Sequence, residues 1–170
     1  ITESWNGSAW TEVADLGTAR YYLAGGGTAT SGVVMGGYST PPATRYANTE
    51  TWNGSSWTET TDMNTARRNN DGSGTSSSSA IYAGGFATAG SALTETWDGT
   101  TWTETADLSV ARYGTDSSGT ATSALAAGGY KYVPSGGVVT LTESWNGTDW
   151  TEVNDLNQAR YKLSESGAGA

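Results

Sequence analysis

The sequence predicts an all-β repeat fold, and three observations carry that expectation. A nineteen-residue pattern, T-E-[S/T]-W-[N/D]-G-x-x-W-T-E-x-x-D-[L/M]-x-x-A-R, occurs four times without insertion or deletion, at 2–20, 49–67, 94–112 and 142–160. Its first Trp recurs after 47, 45 and 48 residues, a period at which each unit buries its apolar surface against its neighbours. Inside every copy an Asn-Gly or Asp-Gly pair separates two strand-like runs, the strongest short-range hairpin signal.

Each unit reads as four strands. Strand a follows the Arg of the pattern, at 21–26, 68–73 and 113–118, and ends at a Gly seven residues after the Arg (Gly27, Gly74, Gly119), which is expected to make the turn. Strand b is a small apolar run ending in Gly-Gly: Val33 to Gly37, Ala80 to Gly85 and Ala124 to Gly129. Its continuous apolar character suits a strand buried on both faces. A loop of variable length and composition follows, at 38–48, 86–92 and 130–139. Strand c leads into the Asn-Gly or Asp-Gly pair, and strand d starts at the second Trp. A two-residue turn at Asp98-Gly99 sets Trp97 opposite Thr100 and Glu95 opposite Trp102, with Glu95, Trp97 and Trp102 on one face.

Four antiparallel strands per unit of this length make a β-propeller blade. The Gly-Gly after an apolar strand, the two Trp and the linking Arg together resemble the kelch repeat over nearly the whole chain. The short Asn-Gly turn between the two aromatic strands departs from that pattern. What the resemblance implies is a kelch-like propeller of four-stranded antiparallel blades that presents loops for binding. Three blades are complete (20–65, 67–110, 112–158). Partial blades stand at both ends: strands c and d at 1–19, and strand a at 161–166. The expected domain is the single repeat unit 1–170, a segment of a larger ring or longer chain.

Composition sets further bounds. Only 35% of the 170 residues are hydrophobic, yet there are eight Trp and nine Tyr, and disordered chains are poor in aromatics. Fully burying one aromatic removes about 150–250 Å² from water, an upper bound of about 4–6 kcal/mol each. The net charge of −9 disfavours nucleic acid and anionic membrane surfaces as partners. No apolar run approaches the roughly 20 residues that span a bilayer as a helix. The absence of Cys and His removes thiolate chemistry and the usual general base. The galactose-oxidase type of kelch propeller uses Tyr, His and a Cys crosslink at copper, so that activity is not carried over.

Residues repeated in every unit read as structural. These are Trp5, Trp10, Trp52, Trp57, Trp97, Trp102, Trp145 and Trp150, with Arg20, Arg67, Arg112 and Arg160. The Glu of the pattern (Glu3, Glu50, Glu95, Glu143) recurs alongside the Arg, which suggests Glu–Arg pairing between neighbouring blades rather than a catalytic acid pair. Asn6, Asn53 and Asn146 match a glycosylation acceptor, but the hairpin turn accounts for them. Asp71 and Asp116 occupy equivalent positions in strand a; they are weak candidates for a channel cation, with solvated carboxylates the plainer reading. No cofactor is implied. Variable loops on a repeating scaffold are where binding resides, which singles out Tyr38, Arg45, Tyr46, Phe86, Tyr130, Lys131 and Tyr132 in the b–c loops. The expected function is a non-enzymatic structural or binding module of an extracellular or virion surface, resembling repeats of bacterial and phage surface and fibre proteins. Its partners would be other subunits, further copies of the chain or surface glycans. A glycan-active enzyme and an intracellular adaptor are the alternatives.

Overall fold

A computed structural model describes residues 1–69, 72–132 and 135–162. Its strands are antiparallel, and no helix occurs among the described residues. Three four-stranded sheets follow one another, each with its strands side by side in chain order. The first is built from Ala24–Thr28, Ser31–Met35, Thr49–Trp52 and Trp57–Glu59. The second holds Ser73–Ser76, Ser79–Ala83, Thr94–Trp97 and Trp102–Glu104. The third holds Asp116–Thr120, Ser123–Ala127, Thr142–Trp145 and Trp150–Glu152. A two-stranded hairpin, Thr2–Trp5 with Trp10–Val13, precedes them.

Strand a lies about three residues later than the sequence suggests. The predicted turn glycines Gly27, Gly74 and Gly119 sit inside it. The turn falls on the next pair, and hydroxyls organise it: Thr28 Oγ1 accepts the Ser31 N–H at 3.1 Å, Ser76 Oγ the Ser78 N–H at 3.2 Å and Thr120 Oγ1 the Ser123 N–H at 3.0 Å. The residues given up by strand a form a link instead. The second residue after each Arg (Tyr22, Asn69, Gly114, Lys162) takes a positive φ of 54 to 61°. The Asn69 N–H donates to Tyr22 O at 3.1 Å, Gly114 to Asn69 at 2.6 Å and Lys162 to Gly114 at 2.8 Å. Of the expected final strand 161–166, Tyr161 and Lys162 belong to this link and the remainder lies outside the described residues.

The c–d register is also corrected. Trp97 faces Trp102 and Glu95 faces Glu104, and the same holds for Trp52 with Trp57 and Trp145 with Trp150. The connection is a four-residue loop rather than a two-residue turn. Asp98 Oδ1 accepts the N–H groups of Thr100 and Thr101, both at 2.8 Å, and Asn6, Asn53 and Asn146 do the same in their copies. The shift of two residues keeps the face, because side chains alternate with period two. It brings the two Trp rings of each hairpin to 5.2–5.5 Å.

The core lies between sheets. Val33 and Met35 of the first sheet pack with Ala80, Tyr82, Trp97 and Trp102 of the second. Ile81 of the second packs with Ala124 and Trp145 of the third. These two junctions, and that between the hairpin and the first sheet, each carry an ion pair. Arg20 donates to Glu50 at 2.5 Å, Arg67 to Glu95, and Arg112 to Glu143 at 2.6 Å. The other oxygen of each Glu accepts the backbone N–H three residues before that Arg: Gly17 at 2.7 Å, Asn64 at 2.7 Å and Ser109 at 2.9 Å. The Gly-Gly of strand b closes the junction from the other side. Gly84 has φ +78°, and a Cβ there would meet the Arg112 carbonyl oxygen at 2.8 Å; the Gly85 N–H donates to that oxygen at 3.0 Å.

Candidate functional site

The link after each Arg and the start of each b–c loop are tied together by backbone. Tyr21 and Tyr38 exchange N–H···O bonds of 2.9 and 2.8 Å, and Arg68 and Phe86 exchange bonds of 3.1 and 2.7 Å. Tyr113 pairs with Tyr130, and Arg112 with Lys131. Links and variable loops therefore lie side by side, and their side chains form one collar.

The collar is aromatic and cationic. Tyr21 packs edge-on against Tyr38 at 5.5 Å. The Arg68 guanidinium stands 4.1 Å from the Tyr38 ring centre, 5.4 Å from Phe86 and 5.9 Å from Tyr22. Arg45 covers Phe86 at 5.6 Å. Phe86 touches Tyr113 and Tyr132, Tyr113 touches Tyr130, and Tyr130 touches Tyr161. The circuit returns through the Lys162 ammonium, 5.8 Å from Tyr161 and 5.6 Å from Tyr22. Each such cation–ring contact stabilises by about 0.5–1 kcal/mol where exposed. Burial raises the Tyr113 pKa above its usual value, and the neighbouring tyrosines add to this while Arg68 opposes it.

Charge is distributed unevenly. Of eight Lys and Arg, Arg20, Arg67 and Arg112 are committed to buried Glu pairs. Four of the remaining five, Arg45, Arg68, Lys131 and Lys162, stand at the collar. Tyr21, Tyr22, Tyr132 and Tyr161 are exposed beside them. An otherwise acidic protein thus gathers four of its cations beside accessible aromatic rings.

The sequence-derived loop residues divide. Tyr38, Arg45, Phe86, Tyr130 and Tyr132 meet in the collar, and Lys131 flanks it. Tyr46 is half-buried, its hydroxyl bonded to Ser39 of the same loop at 2.9 Å. Tyr21, Tyr22, Arg68, Tyr113, Tyr161 and Lys162 read as strand a in the sequence, so the loop set omits them. Their signal is nonetheless in the sequence: a Tyr or Arg stands directly after every linking Arg, as Tyr21, Arg68, Tyr113 and Tyr161. Asp116 is buried rather than solvated, because strand a of the third sheet is packed between its own strand b and strand a of the second sheet. Asp71 lies outside the described residues. Among the described residues no group of three or more carboxylates gathers as a metal site.

The repeated Trp also divide. Trp52, Trp97, Trp102 and Trp145 are buried, and Trp57 and Trp150 half-buried. Trp5 and Trp10 of the first hairpin are exposed instead. Arg160 is exposed likewise. No protein-family model and no curated protein matches this chain.

Proposed function

We propose that the chain is a kelch-like propeller segment serving as a non-enzymatic binding or structural module of an extracellular or virion surface, with the collar as its contact face. The observation that carries this reading is the gathering of uncommitted cations and exposed aromatic rings on the loop face of an acidic protein. The succession of four-stranded sheets, each with Gly-Gly after strand b and Arg after strand d, supports the propeller reading. The repeated carboxylates speak for structure rather than catalysis: both oxygens of Glu50, Glu95 and Glu143 are occupied by an Arg and a backbone N–H.

A surface-glycan array probed with the labelled chain tests the reading. The expected result is binding without turnover, lost when Tyr22, Arg45 and Tyr132 are all changed to Ser, with melting nearly unchanged. Binding that survives this triple change but disappears on altering the Asn53-Gly54 turn places the contact on the opposite face and overturns the proposal.

A further inference from the structure

Arg20, Arg67 and Arg112 each hold a buried Glu. Arg68 of the collar holds none. Its side chain is half-buried, and among the described residues no carboxylate pairs with it, although the chain carries 17 Asp and Glu. Nor does its guanidinium make a hydrogen bond among those residues, and its Nε is buried without a partner. Aromatic rings surround it instead: Tyr38 at 4.1 Å, Phe86 at 5.4 Å and Tyr22 at 5.9 Å. Rings attract the charge but leave the fork of N–H donors unused. A guanidinium drawn partly out of water with its donors idle is costly, and an oxyanion completes it through two parallel charge-assisted hydrogen bonds.

Arg68 is also singular. The corresponding place after the other linking arginines holds Tyr21, Tyr113 and Tyr161. What recurs in every unit builds the junctions, whereas this guanidinium occurs once. Lys162 brings a second cation to the same spot, its ammonium 5.6 Å from the Tyr22 ring that Arg68 also approaches. No carboxylate pairs with Lys162 among the described residues either. The Tyr22 ring between them is 48% exposed.

We infer, on the reading that the collar is the contact face, that Arg68, Lys162 and Tyr22 form a site for an acidic sugar. The guanidinium takes a carboxylate or sulfate oxyanion, and the exposed tyrosine takes the C–H face of the sugar ring that carries it. The unpaired cations select an anion over a neutral ligand. The net charge of −9, which repels anions at long range, confines that preference to this spot. The members of the collar are rings and cations, with no aliphatic side chain to anchor a peptide, and phenols present both a face and a hydroxyl to a hydroxylated ligand. One Arg68 per chain gives one site per chain rather than one per repeat.

Calorimetric titration tests this with four probes: a galacturonic acid trimer, a sulfated galactose trimer, the neutral galactose trimer and a glutamate-rich peptide of equal charge. The acidic sugars are expected to bind with a stoichiometry of one. Their affinity should exceed that of the neutral trimer at least about tenfold, the size of one charge-assisted hydrogen bond. The tighter of the two assigns carboxylate or sulfate. Arg68→Tyr, which installs the residue the other units carry, should abolish the preference and leave melting and the neutral trimer's affinity unchanged. Arg68→Lys keeps the charge without the fork and should fall between. Lys162→Gln, at an exposed side chain, should weaken the acidic sugars alone, and it decides the matter should Arg68→Tyr fail to fold. Equal binding of acidic and neutral sugars, or a preference that survives both Arg68→Tyr and Lys162→Gln, overturns the inference while leaving the collar as contact face. A peptide that binds more tightly than both acidic sugars overturns the sugar assignment. Silence from all four probes overturns the inference, and the Tyr22, Arg45 and Tyr132 variant on the array then decides separately whether the collar is a contact face at all.

Discussion

Arg112 and Glu143 meet where neither side chain is open to water. A buried charge without its partner is far more costly than the pair itself is stabilising, and removing one partner costs about 3–5 kcal/mol. Arg112→Ala should therefore lower the melting temperature far more than Arg45→Ala, since Arg45 is exposed and its one ring contact is worth about 0.5–1 kcal/mol. Equal, small shifts in calorimetry would show that Arg112 does not hold the junction. Gly84 makes the same point through the backbone. A side chain there faces a positive φ and the Arg112 carbonyl together, so Gly84→Ala should destabilise more than Gly137→Ala, where a Cβ meets nothing within 4 Å. Parallel denaturant titrations compare the two.

At the level of the element, the c–d hairpin shows how far a sequence can be read and where reading stops. Its existence is legible from Asp98-Gly99 between two aromatic strands. Its register is not, because the Asp98 side chain accepts two successive backbone N–H groups and so stabilises a four-residue loop. Asn in the other three copies does the same with a neutral carbonyl. These bonds lower the Asp98 pKa from 3.8 to about 2, the Thr101 backbone bond contributing most. A depressed carboxyl contributes stability above its unfolded value, and that contribution is lost as pH falls through the folded value. The melting advantage or deficit of wild type relative to Asp98→Asn should hence be constant above about pH 5 and shift against wild type between about pH 4 and pH 2. A pH-independent difference would remove the role assigned to the carboxylate. The position of strand a escapes the sequence for a related reason: hydroxyls of Thr28, Ser76 and Thr120 make the turn that the adjacent glycines signal. That displacement also hides the collar, whose members Tyr21, Arg68 and Tyr113 read as strand residues when taken along the chain alone.

Across the whole molecule, burial rises from the ends to the middle. Ala80, Ile81, Tyr82 and Ala83 are each at most 1% exposed, while Leu125 in the third sheet and Trp5 in the first hairpin are open. Each unit depends on its neighbours for cover, so a unit flanked on both sides is the most protected. Hydrogen exchange should be slowest at the amides of Ser79–Ala83 and fastest at those of Thr2–Trp5. The hairpin also stands over a cavity of about 450 Å³ shared with Gly25, Ala29 and Trp57, and the Trp57 indole N–H has no partner among the described residues. Uniform protection from hairpin to third sheet would mean that the chain unfolds as one block.

The direction of the Arg–Glu contacts, and of the Trp102–Thr49 and Trp150–Thr94 hydrogen bonds, has a consequence for inheritance. The Arg, Glu, Trp and Thr that meet at a junction all belong to the nineteen-residue pattern, while the loops that differ lie elsewhere. The polar contacts of a joint are therefore common to the units, whereas the apolar strand-b residues packed beside them, Val33, Ile81 and Leu125, differ from unit to unit. Recombination between repeats can reorder, duplicate or exchange units, and with them the loop they carry, while keeping the polar contacts of each joint. A chain in which the second and third units trade places should fold, with its collar rearranged and the polar contacts of its junctions intact.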